Sequence, residues 1–274
     1  MRKSANDGLP AVDKPSSARI YDYLLGGEHN YAIDRAFADK QVELAPDMPA
    51  GMRSNRAFIG RAVRFALERG ITQFVDIGAG LPSQGQAHEI ADEVAPDVRA
   101  RVVYIDNEEI AHAHSEILLD GEADPDRHKA VFADFFDSEE LWEQVLDSGV
   151  INPDEPTCLL ITAILHFMFP EQEPEKALAY YRHQLAPGSL LVLSHISDGL
   201  DDKNTREVVR NYSKTTSPAC LRTPDEIAEF FGNWELVEPG LAWAPEWRPD
   251  GTEQNWWGDA PARARYMCGM AAKP

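Results

Sequence analysis

Cysteine is scarce in this sequence: Cys158, Cys220 and Cys268 are the three present, far apart and in no CxxC pair. Such a set excludes a disulfide framework and a structural zinc site, and it suits a reducing cytoplasm. Basic residues are also in short supply. Lysine and arginine total 26 against 46 aspartates and glutamates, a net charge of −20. A field of that sign repels phosphate backbones and anionic lipid, so neither nucleic acid nor a membrane is an expected partner. Long apolar runs are missing: the longest, roughly Cys158 to Phe169, is too short and too broken to span a bilayer. The opening MRKSANDGLPAVDKPSS has no apolar stretch of the kind that directs secretion. No His, Cys, Asp and Glu set has metal-ligand spacing, so no metal is expected. Internal repeats and low-complexity tracts are absent too. What the chain does have is core material, 43% hydrophobic over 274 residues, enough for one large α/β domain.

Residues 1–16 read as a flexible tail, 17–70 as helices only, and 71–274 as an alternating α/β core. The first helix, around Ala18 to Leu25, stops at Gly26-Gly27, a pair suited to a sharp turn. The second runs from about Tyr31 to Leu44. In the third, Ser54 is placed to cap and Phe58, Ile59, Ala62, Val63, Ala66 and Leu67 form one apolar stripe. Arg56, Arg61, Arg64 and Arg69 lie outside that stripe, and Gly70 stands where the helix should end. Strands are expected at Gln73–Ile77, Arg101–Ile105, Lys129–Ala133, Cys158–Thr162, Leu190–His195, Glu235–Glu238 and Arg265–Met270. Helices are expected at Ser83–Val94, Glu108–Leu119, Ser138–Asp147 and Glu173–Leu185. This alternation predicts a Rossmann-like, mostly parallel sheet of seven strands with helices on both faces. The last two strands, with no clear helix between them, suggest an antiparallel hairpin at one edge. Their Trp- and Pro-rich connection is expected to border a substrate pocket or an interface through Trp243, Trp247, Trp256 and Trp257, or else to pack onto the sheet edge.

The strongest local signal is FVDIGAGLPSQG, an apolar strand that ends in Asp76 and turns through Gly78 and Gly80. Glycines there let backbone approach a ligand at the carboxyl end of a sheet, where open α/β folds bind. VVYIDNEE puts Asp106 at the next strand tip, able to accept both hydroxyls of a ribose, with Asn107 beside it. VFADFFD adds Asp134 and Phe135 after the third strand, an acid for an exocyclic amine and a ring to cover adenine. Together they read as a site for an adenosine cofactor. A dinucleotide site wants a third glycine, where this chain has Ser83, and Asp76 would oppose a pyrophosphate. S-adenosyl-L-methionine carries two cationic groups and no phosphate, so it suits the acidic turn better than NAD.

DIGAG, YID and ADFF resemble motifs of class I methyltransferases. More specifically, SARIYDYLLGGEHNYAIDR, MRSNRAFIGRAVR, ILHFMFP, APGSLLVLSHISD and the WRPDG loop resemble the bacterial S-adenosyl methyltransferase family, formerly a domain of unknown function. The resemblance runs from about Ser16 to Pro274. It implies sheet order 3-2-1-4-5-7-6 with the last strand antiparallel, and an N-terminal helical cap over S-adenosyl-L-methionine. Tyr21, Gly26, Gly27, Asn30 and Tyr31 would close over the methionine end, and Arg53 or Arg56 would meet its carboxylate. His166 resembles the Leu-His element at which some small-molecule O-methyltransferases place a base, and His195 is a second candidate catalytic group. The expected activity is methyl transfer to an unidentified small molecule. A sensor that binds the cofactor without transfer is the alternative, with an NAD-dependent oxidoreductase behind it. Oligomeric state and acceptor atom are left open.

Overall fold

The computed structural model describes residues 13–82, 85–199, 202–251, 254 and 256–274. Residues 1–12 of the expected tail and Ser83, at the third position of the glycine turn, lie outside the described residues.

Three helices open the chain. α1 (Ser17–Leu25) starts where the Ser16 hydroxyl accepts from the Arg19 amide and ends at Gly26, whose φ of +91° needs no Cβ. α2 spans Ala32–Leu44 and α3 spans Met48–Glu68. α3 begins nearly two turns before the expected cap. Pro49 in its first turn and buried Met52 extend the helix backwards, so Ser54 lies inside it, buried, accepting from the Trp257 indole N–H at 2.9 Å. Arg61 is not on a solvated face either. It is 4% exposed and donates to the carbonyls of Trp247 (2.8 Å) and Ala244 (2.6 Å).

The α/β part follows as β1 (Gln73–Ile77), α4 (Ala87–Val94), β2 (Arg101–Asp106), α5 (Glu109–Glu122), β3 (His128–Phe132), α6 (Ser138–Asp147), β4 (Cys158–Thr162), α7 (Pro174–Gln184) and β5 (Leu190–Ile196). Two helices that the sequence reading did not foresee come next, α8 (Lys203–Asn211) and α9 (Pro224–Glu229). Both are short and polar, and local caps specify them. The Asp202 carboxylate accepts from the amides of Asn204 and Thr205, and Thr223 and Glu226 cap α9 reciprocally. β6 (Glu235–Leu236), β7 (Ala242–Trp243) and β8 (Tyr266–Ala272) complete the described strands.

The described sheet has eight strands, ordered β3-β2-β1-β4-β5-β8-β6, with β7 also paired to β8. β1 to β5 are parallel, and β8 runs antiparallel to β5, β6 and β7. If β8 is counted as the seventh strand, the expected order holds. β7, inside the Trp-rich connection, is the additional strand. The expected antiparallel pair at one edge is β6 with β8, and β8, as that order requires, is an interior strand flanked by β5 on one side and by β6 and β7 on the other.

Alternation of side chains along the strands divides the core into two layers. Phe74, Val102, Tyr104, Leu160 and Val192 pack on one face with Ile20 of α1, Phe58 of α3 and Ile90 of α4. Val75, Val103, Leu159 and Leu191 pack on the other with Leu141 of α6, Leu178 of α7, and Phe231 just beyond α9. The carboxyl tips of β1 to β5 are thus held between two packed layers, and α1 and α3 stand beside them.

Candidate functional site

A pocket of about 940 Å³ opens along those strand tips, walled by α1, α3, and the segments after β4 and α8. Its floor is the glycine turn. Gly78 has φ +76°, and a Cβ there would fall 2.4 Å from Ile164 Cγ2, so both conformation and space demand glycine. Gly80, at φ +67°, directs its amide to the Asp106 carboxylate (2.8 Å), which also accepts from the Glu108 amide (2.8 Å). Burial raises the Asp106 carboxyl above its usual range, against those backbone donors. Asp76 lines the pocket beside it. Burial lifts its carboxyl to about 7, with Arg56 acting the other way and Asp106 reinforcing the rise. At the third tip, Asn107 donates to Asp134 (2.8 Å), whose other oxygen accepts from the Phe136 amide (2.8 Å). Phe135 is 5% exposed and meets Phe136 edge-on at 5.3 Å.

Tyr21, Asp76, Gly78, Gly80, Asp106, Asn107, Asp134, Phe135 and His166 are brought to this one pocket, as is Arg56. The Tyr21 hydroxyl accepts from Asn55 (3.1 Å) and donates to the Met52 carbonyl (3.3 Å); the Arg56 guanidinium donates to the Gly85 carbonyl (2.9 Å). Six expected residues, Gly26, Gly27, Asn30, Tyr31, Arg53 and His195, lie outside the lining. Gly26 serves as the left-handed end of α1. Asn30 is turned inward, donating to Asp22 (2.9 Å) and the Gly27 carbonyl (2.9 Å). Gly27 has no room for a side chain, because a Cβ would sit 2.0 Å from Asp22 Oδ1. The Gly-Gly–Asn turn therefore closes around Asp22 rather than over the pocket. Arg53 stacks on Trp256, 5.6 Å from its centroid.

His195 is the last of the six. It is 1% exposed, with Nδ1 2.6 Å from the Ile196 carbonyl and Nε2 2.9 Å from an Arg222 N–H. Those partners assign the proton to Nδ1 and occupy both nitrogens. Burial drives its pKa down to about 3. His166, in a short turn over Leu165–Phe167, is 3% exposed and its Nδ1 has no partner. Burial, then His195 and Arg222, hold its pKa well below the usual imidazole range, which favours the neutral ring and makes it a weak base.

Two arginines escaped the sequence reading. Arg19, 1% exposed, bonds Asp34 (2.7 Å) and Glu108 (3.0 Å) and so ties α1 to the loop after β2. Arg222 donates to the carbonyls of Leu165 (2.8 Å) and Met168 (2.7 Å), gripping the turn that carries His166. Neither is legible in a motif, since the partners are remote in sequence. The tryptophans of the connection are absent from the pocket lining. Trp247 is fully buried against Phe58 (5.1 Å) and Phe65 (6.2 Å), and Trp257 is bonded to Ser54. Among the described residues no group of three or more His, Cys, Asp and Glu could hold a metal, and no helix is long and apolar enough to cross a membrane.

The profile of a family described as S-adenosyl methyltransferase matches residues 6–274. A Thermobifida fusca structure named for methyl transfer is 33% identical at TM-score 0.85, covering 96% of both chains. A member of domain-of-unknown-function family 574 from Streptomyces avermitilis is 34% identical at TM-score 0.87, covering 96% of this chain and 98% of its own. PigF, solved with SAH, shares the fold at TM-score 0.51 and 14% identity, over 88% of this chain and 69% of its own. No curated protein matches. Sequence profile, whole-chain structural likeness and the glycine turn with its acidic strand tips agree: the chain belongs to the S-adenosyl methyltransferase family, and its cofactor is S-adenosyl-L-methionine.

Proposed function

We propose that this protein transfers a methyl group from S-adenosyl-L-methionine to a small molecule, with residues 17–70 as a cap on the cofactor side of the pocket. The observation that carries the reading is the continuity of the 940 Å³ pocket. Its lining runs from the acids at the tips of β1 to β3 to His166, Phe167, Tyr212 and Tyr266 beyond β4. A pure sensor of the cofactor has no use for that further half, and the whole volume suits two small ligands side by side.

The lining fits the cofactor. Gly78 and Gly80 keep the turn free of side chains, and Asp106 is placed at the second strand tip for a ribose. Asn107 and Asp134 form a bonded pair for the adenine edge, beside Phe135. Asp76 would meet the α-ammonium and Arg56 the carboxylate, with Tyr21 at that end; all three are in the pocket lining. When bound, the cofactor supplies an activated methyl on a sulfonium. The chain's own task is then to align the acceptor, exclude water and receive a proton. His166 is placed to receive it: the ring is buried in the lining and held in the neutral, proton-accepting form.

Calorimetry with S-adenosylhomocysteine tests the cofactor contacts. Asp106→Ala should weaken binding about ten- to a hundred-fold, the scale of hydrogen bonds to a charged group. Unchanged affinity in a folded variant, or micromolar binding of NAD without a response to S-adenosylhomocysteine, would sink the assignment. With an acceptor in hand, His166→Gln should lower turnover by roughly 10²–10⁴-fold and leave S-adenosylhomocysteine affinity unchanged.

A further inference from the structure

The pocket is electrically two-sided. Every Asp, Glu and Arg in its described lining comes from residues 19–134, on α1, α3 and the tips of β1 to β3. From Thr162 to Tyr266 the described lining holds no Asp, Glu, Lys or Arg. A carboxylate or ammonium entering that half would shed its water with no charged side chain in the described lining to pair with it, a heavy cost in a buried site. The walls there are rings. His166 and Phe167 lie 4.2 Å apart, Phe167 and Tyr212 6.0 Å, His166 and Tyr266 6.4 Å, with Phe169 as an apolar lip. These rings are tilted or edge-on to one another and in mutual contact, so together they form one aromatic wall against which a flat aromatic guest can lie.

The same half contains polar groups with nothing to bond. Tyr212 is 6% exposed and Tyr266 4%, and among the described residues neither hydroxyl has a hydrogen-bond partner. His166 lines the same half, with its Nδ1 unpartnered and turned away from the open space. Burial raises the pKa of both phenols, so each stays a neutral hydroxyl able to donate and to accept. Two such hydroxyls on residues that line a ligand-sized pocket can meet a ligand's own polar atom.

We propose that the substrate half of the pocket takes a flat, uncharged aromatic molecule bearing a hydroxyl, seated with that hydroxyl among His166, Tyr212 and Tyr266, and that the product is an aryl methyl ether. The inference rests on the methyl-transfer reading above and names its substrate class. In the step, the substrate oxygen forms a bond to the methyl carbon as the carbon–sulfur bond breaks. The bonding pair stays on sulfur, which becomes a neutral thioether. The hydroxyl proton passes to the imidazole of His166 and leaves with water. A phenol suits this weak base better than an aliphatic alcohol, because its proton is the more acidic.

The probes are 2-naphthol, naphthalene, 2-naphthoate and 2-naphthylmethylamine, titrated by calorimetry with and without S-adenosylhomocysteine, together with tritium transfer from labelled S-adenosylmethionine to 2-naphthol. The expected result is tightest binding of 2-naphthol, with naphthoate and the ammonium at least about ten-fold weaker, and labelled 2-methoxynaphthalene as product. Tyr212→Phe and Tyr266→Phe should each weaken 2-naphthol about two- to ten-fold, the scale of one neutral hydrogen bond, and leave naphthalene unchanged. The proposal is overturned if a charged analogue binds as tightly as 2-naphthol, if 2-naphthol binds no better than naphthalene, or if both Phe variants keep the wild-type preference. Absence of S-adenosylhomocysteine binding would instead overturn the methyltransferase reading, and the cofactor-free titrations would still decide that half of the pocket.

Discussion

Asp76 couples the cofactor site to pH. In the free protein its carboxyl titrates near 7, raised chiefly by burial. A bound ammonium favours the ionised form, so the carboxyl's pKa falls on binding and the complex releases a proton below pH 7. Affinity for S-adenosylhomocysteine should therefore decline as pH drops from 7 toward 5, by at most tenfold per unit, and stay level above 8. Calorimetry at pH 6.5 in two buffers of different ionisation enthalpy will show the released proton. A profile that Asp76→Asn leaves intact would remove Asp76 from this role. The position of Asp76 was readable in the sequence, because an apolar strand running into a Gly-x-Gly turn marks where the strand ends. The same logic located Gly78, Asp106 and Asp134. Arg19 and Arg222 were not readable. Arg19 finds its carboxylates at Asp34 and Glu108, and Arg222 grips carbonyls near residue 165, contacts that only the closed fold creates.

Among the elements, α3 shows how far an apolar stripe can be trusted. The stripe from Phe58 to Leu67 placed the helix correctly, yet the start was missed because Ser54 looked like a cap and is a buried partner for Trp257. Arg61 looked solvated and is instead a bracket for the connection between β7 and β8, holding two carbonyls of the segment around Trp247. That segment has little regular structure, and burial of Trp247 fastens it to α3. Trp247→Ala should cost about 3–5 kcal/mol in urea unfolding, the usual loss for a large buried aromatic. A loss under about 1 kcal/mol would mean the segment is anchored elsewhere. α8 and α9 were missed for the opposite reason: their caps are strong but their apolar faces are too short to give a period.

For the molecule as a whole, acid stability should be set by buried histidines more than by the surface charge. His128 is 1% exposed with both ring nitrogens unpartnered, and burial, His88 and Arg127 depress its pKa to about 4. The unfolded chain takes that proton near the ordinary value of about 6.5. The His128 contribution is thus undiminished above 6.5 and is lost as pH drops from there toward 4, against the raised carboxyl of Asp76, which works in the opposite direction below 7. His88, also depressed, adds to the fall. The urea midpoint should drop between pH 7 and pH 5, and His128→Leu should flatten the drop. An identical slope in that variant would assign the acid sensitivity to other groups.

The place of β8 has a consequence for biosynthesis. Until residue 272 has been translated, β5 has no neighbour on its outer side, and its seven residues from Leu190 to Ile196 form an open, apolar edge. Such an edge is a template for pairing with other chains. A ribosome that has completed β5 must still make some seventy residues before the sheet can be sealed, and Tyr266 of the pocket arrives in the same stroke. The nascent protein passes through a window in which most of its core exists and its catalytic cavity does not, and in that window chaperones have the most to guard.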